Sequence, residues 1–338
     1  MARFSHEIGQ SFRSLLTSRG KGLDWAYRKY RYLWKRAPAK QKVLKFPLHL
    51  DIENTNNCNL RCVMCAINFA EEAFGSMDWN LYTKIIDEGA KNGLASIKLN
   101  WRGEPLLHPK IVEMVKYAKD KGIVEVQFNT NAQLLTEDLS RRLIDAGLDR
   151  IIFSVDGATT ETYEKIRRGG KYDRLVNNIE TFLRLKKEKG TKLPLTRIQF
   201  VKMKENENEA DLFKKTWDGK IDEVIVNPFL DYTSLSDTAE KQDNLKSSDQ
   251  IKITGRKPCN QLWQRLIISY DGEVMMCCDD WNMEVKLGNV NNQNIYDIWH
   301  GEKLNKIRKL HATGQWDNIP VCKNCTELDG CTYEKNEN

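Results

Sequence analysis

The run CNLRCVMC places Cys58, Cys62 and Cys65 at C-x3-C-x2-C spacing, and no other feature constrains the chain as tightly. It follows FPLHLDIENTNN, a stretch that alternates like a strand. Three thiolates so spaced fit three irons of a cubane and leave the fourth without a protein ligand. Iron–sulfur cubanes ordinarily take four cysteines, so the open iron must bind something else. The competing readings are a zinc knuckle and three reduced core cysteines. Zinc wants a fourth ligand close by, yet the next His or Cys after Cys65 is His108.

The 338 residues suggest two domains. No run of about 18 apolar residues is present, which argues against a membrane-spanning helix. The N-terminal MARFSHEIGQSFRSLL lacks a small-residue cleavage site, against a secretory signal. Nine cysteines without such a signal read as ligands or catalysts rather than disulfides, and the expected location is cytoplasmic. Charge is uneven. Residues 1–45 hold twelve Lys and Arg against Glu7 and Asp24, so this arm is +10 and the remainder −4. Within it Leu23, Ala26, Tyr27, Tyr30 and Trp34 form one helical stripe among cations. The favoured expectation is a helix packed on the domain behind it. Peripheral contact with an anionic membrane or phosphate surface comes second, and nucleic acid last.

Downstream, β-rich runs at 47–53, 96–101, 123–129, 149–155, 196–202 and 223–229 alternate with amphipathic helices at 79–92, 108–121, 136–146, 160–167 with 172–189, and 205–217. Such alternation predicts an α/β fold with a parallel sheet. Sites of such barrels lie at the carboxyl ends of the strands, where the cysteine loop would fall.

With these motifs the chain resembles the radical S-adenosylmethionine (SAM) superfamily, whose open iron chelates the methionyl group of SAM. The resemblance implies a partial (β/α)6 TIM-like barrel, a 4Fe-4S cluster on Cys58, Cys62 and Cys65, and a 5′-deoxyadenosyl radical that abstracts a substrate hydrogen. The turn WRGEP resembles the family's Gly-Gly-Glu-Pro motif, with Arg102 in place of the first glycine. It implies that Gly103 lets the backbone approach the cofactor and that Glu104 accepts from the methionyl ammonium. Thr130 and Asn131 match the family's Thr-Asn pair near the ribose, followed by Ala132 where glycine is usual. Ser154 is implied at the methionyl carboxylate or ribose, and Met64 takes the place of an aromatic residue resting on the adenine. Asp156, in SVDG, is a candidate catalytic or network-orienting group. Arg167 and Arg168 are read either as binding an anionic substrate group or as solvated helix-end cations.

Six further cysteines, Cys259, Cys277, Cys278, Cys322, Cys325 and Cys331, lie near the C-terminus. G-x4-C at Gly272–Cys277 and C-x2-C-x5-C at Cys322–Cys331 resemble SPASM and twitch domains, which hold auxiliary iron–sulfur clusters. Six cysteines are too few for two fully ligated cubanes. The resemblance therefore implies one auxiliary 4Fe-4S cluster on Cys259, Cys277, Cys322 and Cys325. Cys277 and Cys278, adjacent in a strand, face opposite sides. Cys278 and Cys331 remain as candidate hydrogen donors.

The expected organisation is a basic helical arm (1–45), the radical SAM partial barrel (46–230), a polar linker (231–257) and a small SPASM/twitch domain (258–338). The expected activity is oxidation or epimerisation of a sugar-like or other small polar metabolite, phosphorylated or carrier-linked forms included. An electron donor such as flavodoxin or ferredoxin would serve it. Modification of a ribosomally made peptide is the alternative; a zinc-stabilised basic RNA- or membrane-binding protein is the alternative of another class.

Overall fold

The computed structural model describes residues 21–69, 73–229, 245–248, 252–323, 325–327 and 329–334. Strand β1 (His49–Ile52) is followed by a two-residue strand β2 (Arg61–Cys62) in the cysteine loop, then β3 (Ser96–Lys98), β4 (Glu125–Thr130) and β5 (Arg150–Ser154). A second short strand, β6 (Arg167–Arg168), precedes β7 (Leu195–Lys202) and β8 (Glu223–Pro228). β1, β3, β4, β5, β7 and β8 pair in that order, all parallel. These are the six strands expected for a partial barrel. The second run, 96–101, ends early because Asn100–Glu104 leave the ladder to build a turn.

Helices fall where the 3.6-residue pattern puts them: Trp79–Asn92, Ile111–Asp120, Glu137–Asp145, Thr160–Ile166, Tyr172–Glu188 and Ala210–Trp217. The first illustrates why. The Asp78 carboxylate accepts the Asn80 and Leu81 amides at its start, and Gly93, at φ 81°, closes its end. Alternate strand residues (Ile97, Leu99, Val126, Phe128, Phe153, Ile198, Phe200) are buried beneath these helices. Each such side chain contributes about 1.5–3 kcal/mol. Their neighbours Lys98, Gln127, Asn129, Ser154 and Gln199 are half-buried and turn to the other side of the sheet, giving the barrel a polar interior.

The basic arm, from residue 21, forms a helix, Lys21–Ala39; residues 1–20 lie outside the described residues. Tyr27 and Tyr30 pack on Leu48, Ala95, Val124 and Leu195, at or just before the starts of β1, β3, β4 and β7. The helix therefore covers the end of the barrel opposite the cysteine loop.

Two boundaries differ from expectation. Lys252–Arg256, inside the expected linker, is a strand (β9) paired antiparallel with Cys331–Glu334 (β13); 231–244 and 249–251 of that linker lie outside the described residues. The C-terminal module is also continuous with the barrel sheet. β10 (Arg265–Ile268) lies parallel to β1, then β11 (Glu273–Met275) and β12 (Lys286–Asn289) continue antiparallel. Nine strands thus share one sheet.

Candidate active site

The cysteine loop is fastened to the segment around Arg167. β2 pairs with β6 so that Cys62 faces Arg167, and the Val63 amide donates to Ile166 O (2.9 Å). Inside the turn the Cys65 amide donates to Cys62 O (3.0 Å) and Asn68 Nδ2 to the same oxygen (2.7 Å). Met64 is buried with Leu60, Cys62, Ile166 and Met203, and Leu245 of segment 245–248 packs against this group. Desolvation pushes the free thiols of Cys58 and Cys65 up to about 11 and about 12. A positively charged metal bound there would offset that cost and hold the thiolates.

Glu104 is buried and well held. Oε1 accepts from Thr130 Oγ1 (2.7 Å) and the Leu106 amide (3.2 Å), and Oε2 from the Asn131 amide (2.8 Å). A carboxylate offers about four acceptor sites, so one on Oε2 is left for a further donor. Burial pushes this carboxyl up to about 7 despite those bonds. An arriving ammonium would favour its ionised form, so the chemistry of this donor set fits the amino group of SAM. Thr130 and Asn131 hold Glu104 rather than presenting free side chains. Asn131 Nδ2 donates to Asn59 Oδ1 (2.9 Å) and lies 4.0 Å from Cys58 Sγ. Ala132 keeps a left-handed φ of 55°, so the backbone shape that glycine favours survives without it. At Gly103 (φ +70°) a Cβ would sit 2.3 Å from Thr55 O, so the close approach there is to the chain after β1.

Asp156 requires a correction. It is fully buried, one oxygen pairs with Arg167 Nη2, and the other accepts the Val201 amide (2.7 Å). Buried and bonded to the protein at each oxygen, it takes the network-orienting role of its two readings. Arg167 is not a solvated cation: it is buried, donates to Val155 O (3.1 Å) and points Nη1 at Cys62 Sγ (3.8 Å). Ser154, half-buried, accepts from Gln199 Nε2 (3.2 Å) on the lumen side.

In the C-terminal module Cys259, Cys277, Cys322 and Cys325 share one neighbourhood. Burial first, then Asp329, Cys325 and Cys322, raise the Cys259 thiol. Cys277 is raised by its bond to Cys278 and by burial, with Asp279 and Cys259 adding. His311, buried between them, accepts the Cys259 amide at Nδ1 (3.3 Å), which leaves Nε2 protonated to donate to Cys322 Sγ (3.4 Å). Cys331 Sγ donates to Cys325 O (3.3 Å), turned into its own module. Cys278 points elsewhere: Arg265 Nη2 lies 3.2 Å from its sulfur, and Arg265 Nη1 reaches Asp51 (3.2 Å), which also pairs with Lys98 (2.8 Å). Cys278 alone of the two spare thiols adjoins the barrel interior. Among the described residues no three His, Cys, Asp or Glu side chains gather as a single-ion site.

The family comparisons agree with this geometry. The sequence model of the Radical SAM superfamily matches residues 52–213, and that of the SPASM iron–sulfur cluster-binding domain matches 259–326. The chain belongs to the radical SAM superfamily. Among similar proteins, the tungsten-containing aldehyde ferredoxin oxidoreductase cofactor-modifying protein of Pyrococcus furiosus is 26% identical over 331 residues, 85% of this chain and 89% of its own. The S-adenosyl-L-methionine-dependent 2-deoxy-scyllo-inosamine dehydrogenase of Niallia circulans is 23% identical, covering 85% and 95%. The crystal structure of BtrN in complex with AdoMet and 2-DOIA superposes with a TM-score of 0.55 at 20% identity, over 86% of this chain and 97% of that one. Streptococcus suis SuiB bound to the precursor peptide SuiA gives 0.62 at 18%, over 82% and 70%.

As a radical SAM enzyme the protein uses a 4Fe-4S cluster and SAM, with auxiliary iron–sulfur in the SPASM domain. Together the cluster and SAM supply the 5′-deoxyadenosyl radical that abstracts hydrogen. Its substrates are small molecules or peptides, and it needs a reductant. Among the described residues no helix is long and apolar enough to cross a membrane. Reading the sequence missed Glu53 and Arg265; it took His311 as structural rather than a ligand, which its bonds to Cys259 and Cys322 fit. The first had a signal: His49, Asp51 and Glu53 put a polar group at every second position of an otherwise apolar strand.

Proposed function

We propose that this chain is a radical SAM oxidoreductase that dehydrogenates a small, hydroxyl-rich, sugar-like metabolite. Cys58, Cys62 and Cys65 hold the SAM-binding cluster and Glu104 the methionyl ammonium. Cys259, Cys277, Cys322 and Cys325 hold one auxiliary cluster, the electron acceptor after hydrogen abstraction. A flavodoxin- or ferredoxin-type protein supplies the reducing electron. The observation that carries the reading is the polar lumen of Lys98, Gln127, Asn129, Ser154 and Gln199 beneath the mouth, with the auxiliary loop bonded to that mouth. Trp101 Nε1 donates to Cys278 O (2.7 Å) and Arg102 Nη1 to Trp281 O (3.2 Å). Such a lumen suits hydroxyls and amines rather than an apolar ligand. Similarity to a dehydrogenase over most of both chains supports the same choice.

Epimerisation would need a thiol hydrogen near the substrate. The Arg265 guanidinium, its Nη2 3.2 Å from Cys278 Sγ, favours the thiolate form of that residue. A thiolate has no hydrogen atom to give, and this favours oxidation. The test is incubation of the reduced holoenzyme with SAM and a panel of aminocyclitols and sugars in heavy water. An oxidised product formed with 5′-deoxyadenosine, and free of solvent deuterium at carbon, is expected. Deuterium at an inverted carbon, lost in Cys278→Ala, would establish epimerisation instead.

A further inference from the structure

We propose that the outward face of helix Lys21–Ala39 is a docking surface for an anionic lipid bilayer. The helix has two faces of opposite character. Tyr27, Tyr30 and Ala37 are buried against the barrel. Opposite them Trp25, Arg28, Lys29, Tyr32, Lys35 and Arg36 are all exposed, at three- and four-residue steps that form one continuous ridge. Trp25 and Tyr32 are 65% and 63% exposed. Exposed Lys40, Lys42 and Lys45 continue the charge beyond the helix, and no Asp or Glu occurs from 25 to 45.

Cations alone would account for solubility. Two large aromatic rings held in water among them call for a surface that takes both. A membrane interface does so: anionic headgroups attract the Lys and Arg side chains, and Trp and Tyr settle at headgroup depth. An acidic redox protein fits this ridge poorly. The helix lies at the amino ends of the strands and the Cys58 loop at the carboxyl ends, roughly 15–20 Å away along strands of this length. Nucleic acid fits less well too, since a convex ridge offers no groove to track a phosphate backbone. Docked this way, the barrel mouth faces away from the bilayer, open to a soluble substrate, so the contact tethers the enzyme rather than feeding it lipid.

The test is co-sedimentation of the full-length holoenzyme with vesicles of phosphatidylcholine alone or mixed with phosphatidylserine, beside a gel-shift titration with RNA. Binding is expected only to the phosphatidylserine vesicles and should weaken as salt rises. Each cation near such a surface raises partitioning about fivefold, so Arg28→Gln/Lys29→Gln/Lys35→Gln/Arg36→Gln should reduce it at least tenfold. Trp25→Ser/Tyr32→Ser should also reduce it, at unchanged charge and with the thermal melt preserved. Failure to bind anionic vesicles would overturn the proposal. So would vesicle binding indifferent to Trp25 and Tyr32, or tighter binding to RNA through the same residues.

Discussion

Arg102 and Glu53 form a two-pronged, buried ion pair: Nε to Oε1 at 2.7 Å and Nη2 to Oε2 at 3.0 Å. The Tyr270 amide donates to the same carboxylate (3.2 Å), and Arg102 stacks over the Trp101 ring at 4.3 Å. With its bond to Trp281 O, Arg102 ties the end of β1 to the loop behind Cys277 and Cys278. The residue that departs from the family's Gly-Gly-Glu-Pro turn is thus a clamp between barrel and auxiliary module.

Arg102→Ala leaves Glu53 buried without its cation. Breaking a pair of this kind costs about 3–5 kcal/mol, which for a chain of this size lowers the melting temperature by on the order of 10 °C. The double variant Arg102→Met/Glu53→Leu should recover part of the loss, because no charge is left stranded. An unchanged melt in Arg102→Ala would show that the clamp contributes nothing.

Glu104→Gln should weaken SAM binding on the order of tenfold to a hundredfold, as expected for a charged hydrogen bond of about 1.5–3 kcal/mol. The pH dependence has a definite sign. The folded carboxyl titrates near about 7 against 4.5 unperturbed, so its contribution to stability is full below about 4.5 and is lost as pH rises through 7. SAM, carrying an ammonium, should do the reverse, binding more tightly as Glu104 ionises between about pH 6 and pH 8. Isothermal titration across that range, on wild type and Glu104→Gln, checks both; a flat wild-type profile would remove Glu104 from the cofactor.

Arg167 presents a positive charge to Cys62 Sγ and is itself held by Asp156. Charge and hydrogen bonding at the sulfurs set cluster potential. Arg167→Gln should shift the SAM-binding cluster to a more negative potential and slow its reduction. Redox titration followed by electron paramagnetic resonance measures this. No shift would mean that the guanidinium serves only the loop.

Replacing Cys58, Cys62 and Cys65 together by Ala should abolish SAM cleavage and leave about four irons per chain, held by the C-terminal set. Iron and sulfide analysis of anaerobically purified protein gives the count. Retained 5′-deoxyadenosine formation in this variant would refute the assignment of the loop.

The strand and helix order was legible because it is written in local periodicity. Runs such as IVEVQFN and RIIFSV state their own pairing preference, and the helix at 79–92 announces its cap and its stop. The cysteine spacings were legible for the same reason, since a ligand motif is a short-range pattern. The strand expected to set Cys277 and Cys278 on opposite faces stops at Met275, and in the turn beyond it the two thiols bond to each other.

What each of those two cysteines faces did not follow. Cys278 meets Arg265 and the Asp51–Lys98 pair only because β10 lies parallel to β1, joining segments more than two hundred residues apart. Arg167 looked like a helix-end cation and became a buried partner of Cys62 through a ladder of just two residue pairs. Glu53, Arg102 and His311 likewise acquire their roles from contacts across the chain. The sequence by itself determined the α/β alternation, the two cysteine sets and the basic, aromatic arm, all encoded over a few neighbouring residues. Only the tertiary structure decided which charges are buried together, because a buried ion pair is stable only where folding removes both partners from water at the same point.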